Sequence, residues 1–107
     1  MAKKKRILKP DIERILTKMG YQIKKARLRR NIRAEELAEQ AGISMGTFTA
    51  IEKGMPTVSM GAYAAVLHVL GMENDLELIA MDEEGKRKYQ SSFFTNRERA
   101  AKQKDII

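Results

Sequence analysis

Residues 34–53 read AEELAEQAGISMGTFTAIEK, and their spacing decides the fold. Leu37 and Ala38, then Phe48 and Ile51, place apolar side chains on the facing sides of two short helices. The first runs from about residue 33 to 41 and the second from about 44 to 53. Ala38 is small where the two cross. Gly42 stands where the first helix ends in a left-handed conformation, which costs glycine little. Ile43 fills the turn, and Ser44 offers a side-chain acceptor to the orphan N–H groups that open the next helix.

Two helices joined so tightly form a helix-turn-helix, whose second helix lies in the major groove of DNA. Its exposed face is expected to show Met45, Gly46, Thr49, Ala50 and Lys53. Met45, Gly46, Thr49 and Ala50 are expected toward base edges. Lys24, Arg33, Thr47 and Lys53 are the phosphate candidates, and Ala34 and Ser44 complete the DNA-binding set.

Upstream, Pro10 fits the first turn of a helix, and Asp11 and Glu13 suit its positive end. Ile12, Leu16, Met19, Ile23 and Ala26 then recur at helical spacing to about residue 30. Gly20 weakens the middle, so a bend there is expected. The opposite face carries Lys18, Lys24, Lys25, Arg29 and Arg30. Asn31 suits a left-handed helix end, and Ile32 returns the chain to the core. Arg33 stands where a Ser, Thr or Asp cap is usual, and Glu35 and Glu36 partly compensate.

Downstream, Gly54 ends the second short helix and Met55-Pro56 enforces an extended connection. Ser59 caps a further helix to Leu70, with Tyr63, Val66, Leu67 and Leu70 inward and Gly71 closing it. His68 lies off that stripe and is expected at the surface. After a turn at Asn74-Asp75, the residues Leu76, Glu77, Leu78, Ile79, Ala80 and Met81 alternate as a short β-strand does. An unpaired strand edge is costly, so pairing with the same strand of a second subunit is expected, with Leu76, Leu78 and Ala80 on one face.

The expected architecture is therefore all-α, four to five helices followed by one short β-strand pairing across a homodimer. Residues 1–10 form a basic arm, 11–72 the DNA-binding domain, 73–84 the dimerisation segment and 85–107 a basic, polar tail. In that tail Thr95-Asn96 suits a helix cap, and Tyr89, Phe93 and Phe94 give it something to bury against a partner.

The 107 residues carry a net charge of +7, distributed unevenly. Residues 1–33 sum to +11, residues 34–84 to −9 and residues 85–107 to +5. The helix-turn-helix itself is acidic, so phosphate contact rests largely on residues before Ala34. With no Cys and one His, no disulfide framework, metal site or catalytic constellation is expected. No cofactor, no enzymatic activity and no membrane partner are expected either. No apolar run spans a bilayer, MAKKKRILKP does not read as a secretory signal, and the expected compartment is the cytoplasm.

The stretch IKKARLRRNIRAEELAEQAGISMGTFTAIEKG resembles the Cro/C1-type helix-turn-helix of the xenobiotic-response-element family. Arg27, Leu37-Ala38, Gly42-Ile43-Ser44, Ile51-Glu52 and Gly54 carry the resemblance, which covers about residues 19–71. It implies a lambda-repressor-like domain and sets Arg27 beside Glu52 as a structural pair. VSMGAYAAVLHVLGMENDLELIA is similar to HipB-type antitoxins. That likeness implies a DNA-binding repressor of its own operon whose partners are double-stranded DNA, a second copy and a HipA-type kinase toxin. A stand-alone regulator, or an interaction adaptor with little sequence-specific DNA contact, is the alternative. Met45 and Gly46 depart from the family, whose members often carry Arg, Gln, Ser or Lys there; neither makes bidentate hydrogen bonds to a base.

Overall fold

The computed structural model describes residues 8–82. The tail aromatics Tyr89, Phe93 and Phe94, the cap candidate Thr95-Asn96 and most of the basic arm lie outside the described residues. Helices α1 (Pro10–Arg29), α2 (Ala34–Ala41), α3 (Met45–Glu52) and α4 (Met60–Val69) follow one another, and a 3₁₀ helix (Glu73–Leu78) comes last. α1 packs on α3, α2 on both α3 and α4, and the 3₁₀ helix on α4. The core they enclose is Ile23, Ala26, Leu37, Ala38, Phe48, Ile51, Tyr63, Val66, Leu67 and Leu70. Phe48, Leu37, Ile51 and Val66 are its largest fully buried side chains.

Each α-helix ends in the same way. Asn31, Gly42, Gly54 and Gly71 adopt positive φ. The next residue then donates its N–H five residues back: Ile32 to Arg27, Ile43 to Ala38, Met55 to Ala50 and Met72 to Leu67, at 2.8–3.2 Å. These bonds satisfy carbonyls that the helix leaves orphaned. Ile32, Ile43 and Met72 then turn in against the core.

α3 and α4 also begin alike. Ile43-Ser44-Met45-Gly46 precedes Phe48, Ala50 and Ile51; Val58-Ser59-Met60-Gly61 precedes Tyr63, Ala65 and Val66 at identical offsets. Ser44 Oγ accepts from the Thr47 N–H and Ser59 Oγ from the Ala62 N–H, both at 3.1 Å. The aromatic and the β-branched residue of each segment are buried in the common core. Periodicity alone hides this repeat, because the helices differ in length and in what covers them.

Two expectations are corrected here. Gly20 does not bend α1, which is continuous over 20 residues. Gly20 instead lets α1 press onto the end of α3. A Cβ there would lie 2.5 Å from the Gly54 nitrogen and 2.7 Å from the Ile51 carbonyl oxygen. Reciprocally, a Cβ on Gly54 would sit on the Leu16 carbonyl. The helix-propensity cost of Gly20 is offset by this approach of backbone to backbone.

Residues 76–81 do not form a strand. They complete the 3₁₀ helix and a turn, with the Ile79 N–H donating to Leu76 at 3.2 Å and the Met81 N–H to Leu78 at 3.3 Å. Local bonds thereby satisfy backbone groups that a lone strand would leave unpaired. Leu76 packs against the core, while Leu78, Ile79 and Met81 remain exposed. Among the described residues no helix is long and apolar enough to cross a membrane.

Candidate nucleic-acid interface

The start of α3 is set by Ser44, whose hydroxyl also donates to Thr47 Oγ1 at 3.1 Å. With Phe48 and Ile51 held in the core, the helical period turns Met45, Gly46, Thr49 and Lys53 to the surface. Thr47 and Ala50 are half-buried. Ala50 thereby departs from the expected exposed face, while its carbonyl accepts from the Met55 N–H at 3.0 Å.

A shallow open groove runs beside α3, lined by Lys24, Ala34, Phe48, Thr49, Glu52 and Lys53. It brings together residues from α1, α2 and α3 that lie up to 29 positions apart in sequence. The first residue of α2, Ala34, is on its wall. α2 opens without a side-chain cap, its N-cap Arg33 being extended and exposed. The N–H groups of that first turn carry the positive end of the helix dipole, Glu35 and Glu36 in the same turn offset part of it, and Lys24 and Lys53 stand on the same groove. That combination suits a phosphate oxygen. Of the expected DNA-binding residues, Lys24, Ala34, Thr49 and Lys53 converge here. Arg33, Ser44, Met45 and Gly46 stand exposed at the starts of α2 and α3.

The groove is braced from beneath by Arg27 and Glu52. Arg27 Nε donates to Glu52 Oε2 at 2.8 Å and Nη2 to Oε1 at 3.3 Å. The third guanidinium nitrogen donates to the Ile32 carbonyl at 3.0 Å, while the Arg27 carbonyl accepts from the Ile32 N–H at 3.2 Å. The guanidinium carbon lies 5.8 Å from the centre of the Phe48 ring. Arg27 is buried, so its charge is held inside and is not offered to phosphate. This fork ties α1, the α1–α2 connection and α3 into one frame.

The other basic side chains of α1 and of its C-cap, Arg30, divide. Arg30 donates to the Ala26 carbonyl at 2.9 Å, closing its own helix. Lys25 sits 5.5 Å from the Tyr21 ring. Lys24 alone among them lines the groove. His68 is exposed on α4, with Nδ1 3.6 Å from a Glu73 carboxylate oxygen. Among the described residues no cluster of three or more His, Asp or Glu could hold a metal ion.

Sequence reasoning placed Tyr63 inward but missed what its hydroxyl does there: it donates to the Met55 carbonyl at 2.8 Å and so fixes the connection leaving α3. Burial raises its pKa above the ordinary 10.0. A tyrosine on an otherwise aliphatic inward stripe is the signal that could have found it, because a buried phenol needs a partner. Nothing in the sequence marks Gly20 and Gly54 as neighbours.

The helix-turn-helix domain family matches residues 18–78, more than half of the chain. No curated protein and no solved structure matches it.

Proposed function

This chain belongs to the helix-turn-helix domain family, and from that premise we propose that it is a sequence-specific transcriptional repressor that binds double-stranded DNA as a homodimer. The domain is that of DNA-binding regulators. The observation that carries the DNA-binding reading is the convergence of Lys24, the uncapped start of α2 and Lys53 beside the exposed surface of α3. Phosphate contacts from the two lysines and Arg33 position the protein, and Met45, Gly46 and Thr49 approach base edges.

A dimer is supported by the exposed Leu78, Ile79 and Met81 at the end of the described chain. A helix-turn-helix dimer spans two half-sites about 34 Å or a multiple apart. The antitoxin reading rests on the resemblance of residues 58–80 to HipB-type proteins. In that reading the cytoplasmic partner is a HipA-type kinase toxin, the repressed promoter is that of the shared operon, and the basic 85–107 segment contacts the toxin.

Gel-shift against the promoter of its own operon tests the DNA reading. Lys53→Ala and Arg33→Ala should each weaken binding to all sequences and flatten the salt dependence by about one unit of slope. An unchanged slope in both removes them from the contact set. Ile79→Glu should dissociate the dimer in sedimentation while the monomer stays folded. Truncation after residue 84 should spare DNA binding and abolish capture of a kinase encoded beside the gene. Absence of such a neighbouring gene leaves the stand-alone regulator.

A further inference from the structure

We propose that α3 reads its operator through thymine methyl groups, an inference that rests on the DNA-binding reading above. Among the residues α3 exposes, none ahead of Lys53 can make the bidentate hydrogen bonds by which guanine or adenine is usually recognised. Met45 ends in a thioether and a methyl and is 42% exposed. Gly46 has no side chain, and a Cβ built there meets only Ser44 Oγ at 3.9 Å, so the space in front of it is open. Thr47 is half-buried and its hydroxyl is engaged by Ser44. Ala50 offers a half-buried methyl.

Thr49 stands one turn after Met45 and presents a methyl beside its hydroxyl. The only apolar group that a standard base displays in the major groove is the 5-methyl of thymine. Met45 and Thr49 therefore offer two methyl-terminated contacts, and the bare Gly46 between them lets the backbone come close to the groove floor. Charge holds the occupant in place. Lys24 and Lys53 line the adjoining groove, and the exposed Arg33 precedes Ala34 on its wall, the complement of a duplex backbone. Lys53 is a flexible point charge at the far end of the face, fitted to phosphate more than to a base edge.

The fold supplies its own control. Met60 and Gly61 open α4 after Ser59 as Met45 and Gly46 open α3 after Ser44, and Met60 is 69% exposed. The groove that Lys24 and Lys53 line does not include them.

The test starts from a pool of random duplexes, from which the wild-type protein selects a preferred site. That duplex is then synthesised with deoxyuridine for thymine, which removes the methyl and leaves every hydrogen-bonding edge unchanged. Affinity should fall about four-fold for each contacted thymine, as loss of one buried methyl predicts. Met45→Ala and Thr49→Ser should each bind the thymine duplex more weakly and lose part of the difference between the two duplexes. Met60→Ala should keep the whole difference. A second duplex carries 2,6-diaminopurine for adenine, which adds an amino group in the minor groove. Weaker binding to that duplex with no response to deoxyuridine assigns selectivity to groove shape and overturns the proposal. Equal deoxyuridine sensitivity in wild type, Met45→Ala and Thr49→Ser also overturns it. Failure to select any duplex removes the DNA-binding reading itself, a result distinct from the other two.

Discussion

Helices α3 and α4 start from the same local sequence and end in different roles. Both have a serine cap, an exposed methionine, a glycine, and then an aromatic and a β-branched residue in the core. Thr47 and Thr49 of α3 correspond to Ala62 and Ala64 of α4, and the roles part eight positions after the cap. There α3 has Glu52, held by Arg27, and α4 has Leu67, buried in the core. One position further α3 has Lys53 at the groove and α4 has His68 beside Glu73. The shared start is chemistry that any helix needs, a cap and an inward stripe. The difference lies in what packs on the far end. α3 is crossed by α1 at its C-terminus, which leaves its outer face bare, whereas α4 is met there by the 3₁₀ helix.

The comparison breaks most sharply at the two closing glycines. Gly54→Ala and Gly71→Ala both place an alanine at positive φ. Only Gly54 is also pressed against the Leu16 carbonyl; nothing lies within 4 Å of a Cβ at Gly71. Gly54→Ala should cost roughly 3 kcal/mol or more, conformation plus overpacking, and Gly71→Ala about 1 kcal/mol. Denaturant unfolding of both variants measures the gap, and equal losses would show that α1 yields at the crossing.

Next in size is the divergent position itself. Glu52→Ala leaves the Arg27 charge buried without its carboxylate and should destabilise the domain by about 3 kcal/mol. Thermal unfolding near the wild-type midpoint would mean that Ile32 and water satisfy Arg27 alone.

The shared start predicts a match instead of a contrast. Ser44→Ala and Ser59→Ala each remove one cap at 3.1 Å and should each cost about 1 kcal/mol. Losses that differ by more than a factor of two would show that the two starts are alike in sequence only.

The smallest effect concerns the aromatic pair. Tyr63→Phe makes α4 resemble α3 at this position and removes the bond to the Met55 carbonyl, a loss of about 1 kcal/mol. It should also change the alkaline limb of the stability profile. Burial favours the neutral phenol, so its contribution is complete below 10.0 and is lost as pH rises through the raised folded-state value. The wild type should lose stability over that window and Tyr63→Phe should lose less; parallel alkaline limbs in titrated unfolding curves would contradict this.

Much of this molecule was legible from local chemistry. Helix starts at Ser44 and Ser59, helix ends at Asn31, Gly42, Gly54 and Gly71, and the inward stripes all follow from caps, φ preferences and a period of 3.6 residues. Those interactions span a few residues, so a linear reading contains both partners. The Arg27–Glu52 pair was placed by family resemblance, since nothing in a single chain tells which of several acids meets a given arginine.

What only the tertiary structure decided involves partners remote in sequence. Gly20 read as a weak point and is a contact point, because its neighbour Gly54 arrives from another helix. Ala50 read as exposed and is half-buried in the folded chain. The alternation at 76–81 read as a strand, yet a strand needs an edge to pair with. The described chain supplies none, so the backbone there closes its hydrogen bonds locally as a 3₁₀ turn and leaves Leu78 and Ile79 exposed.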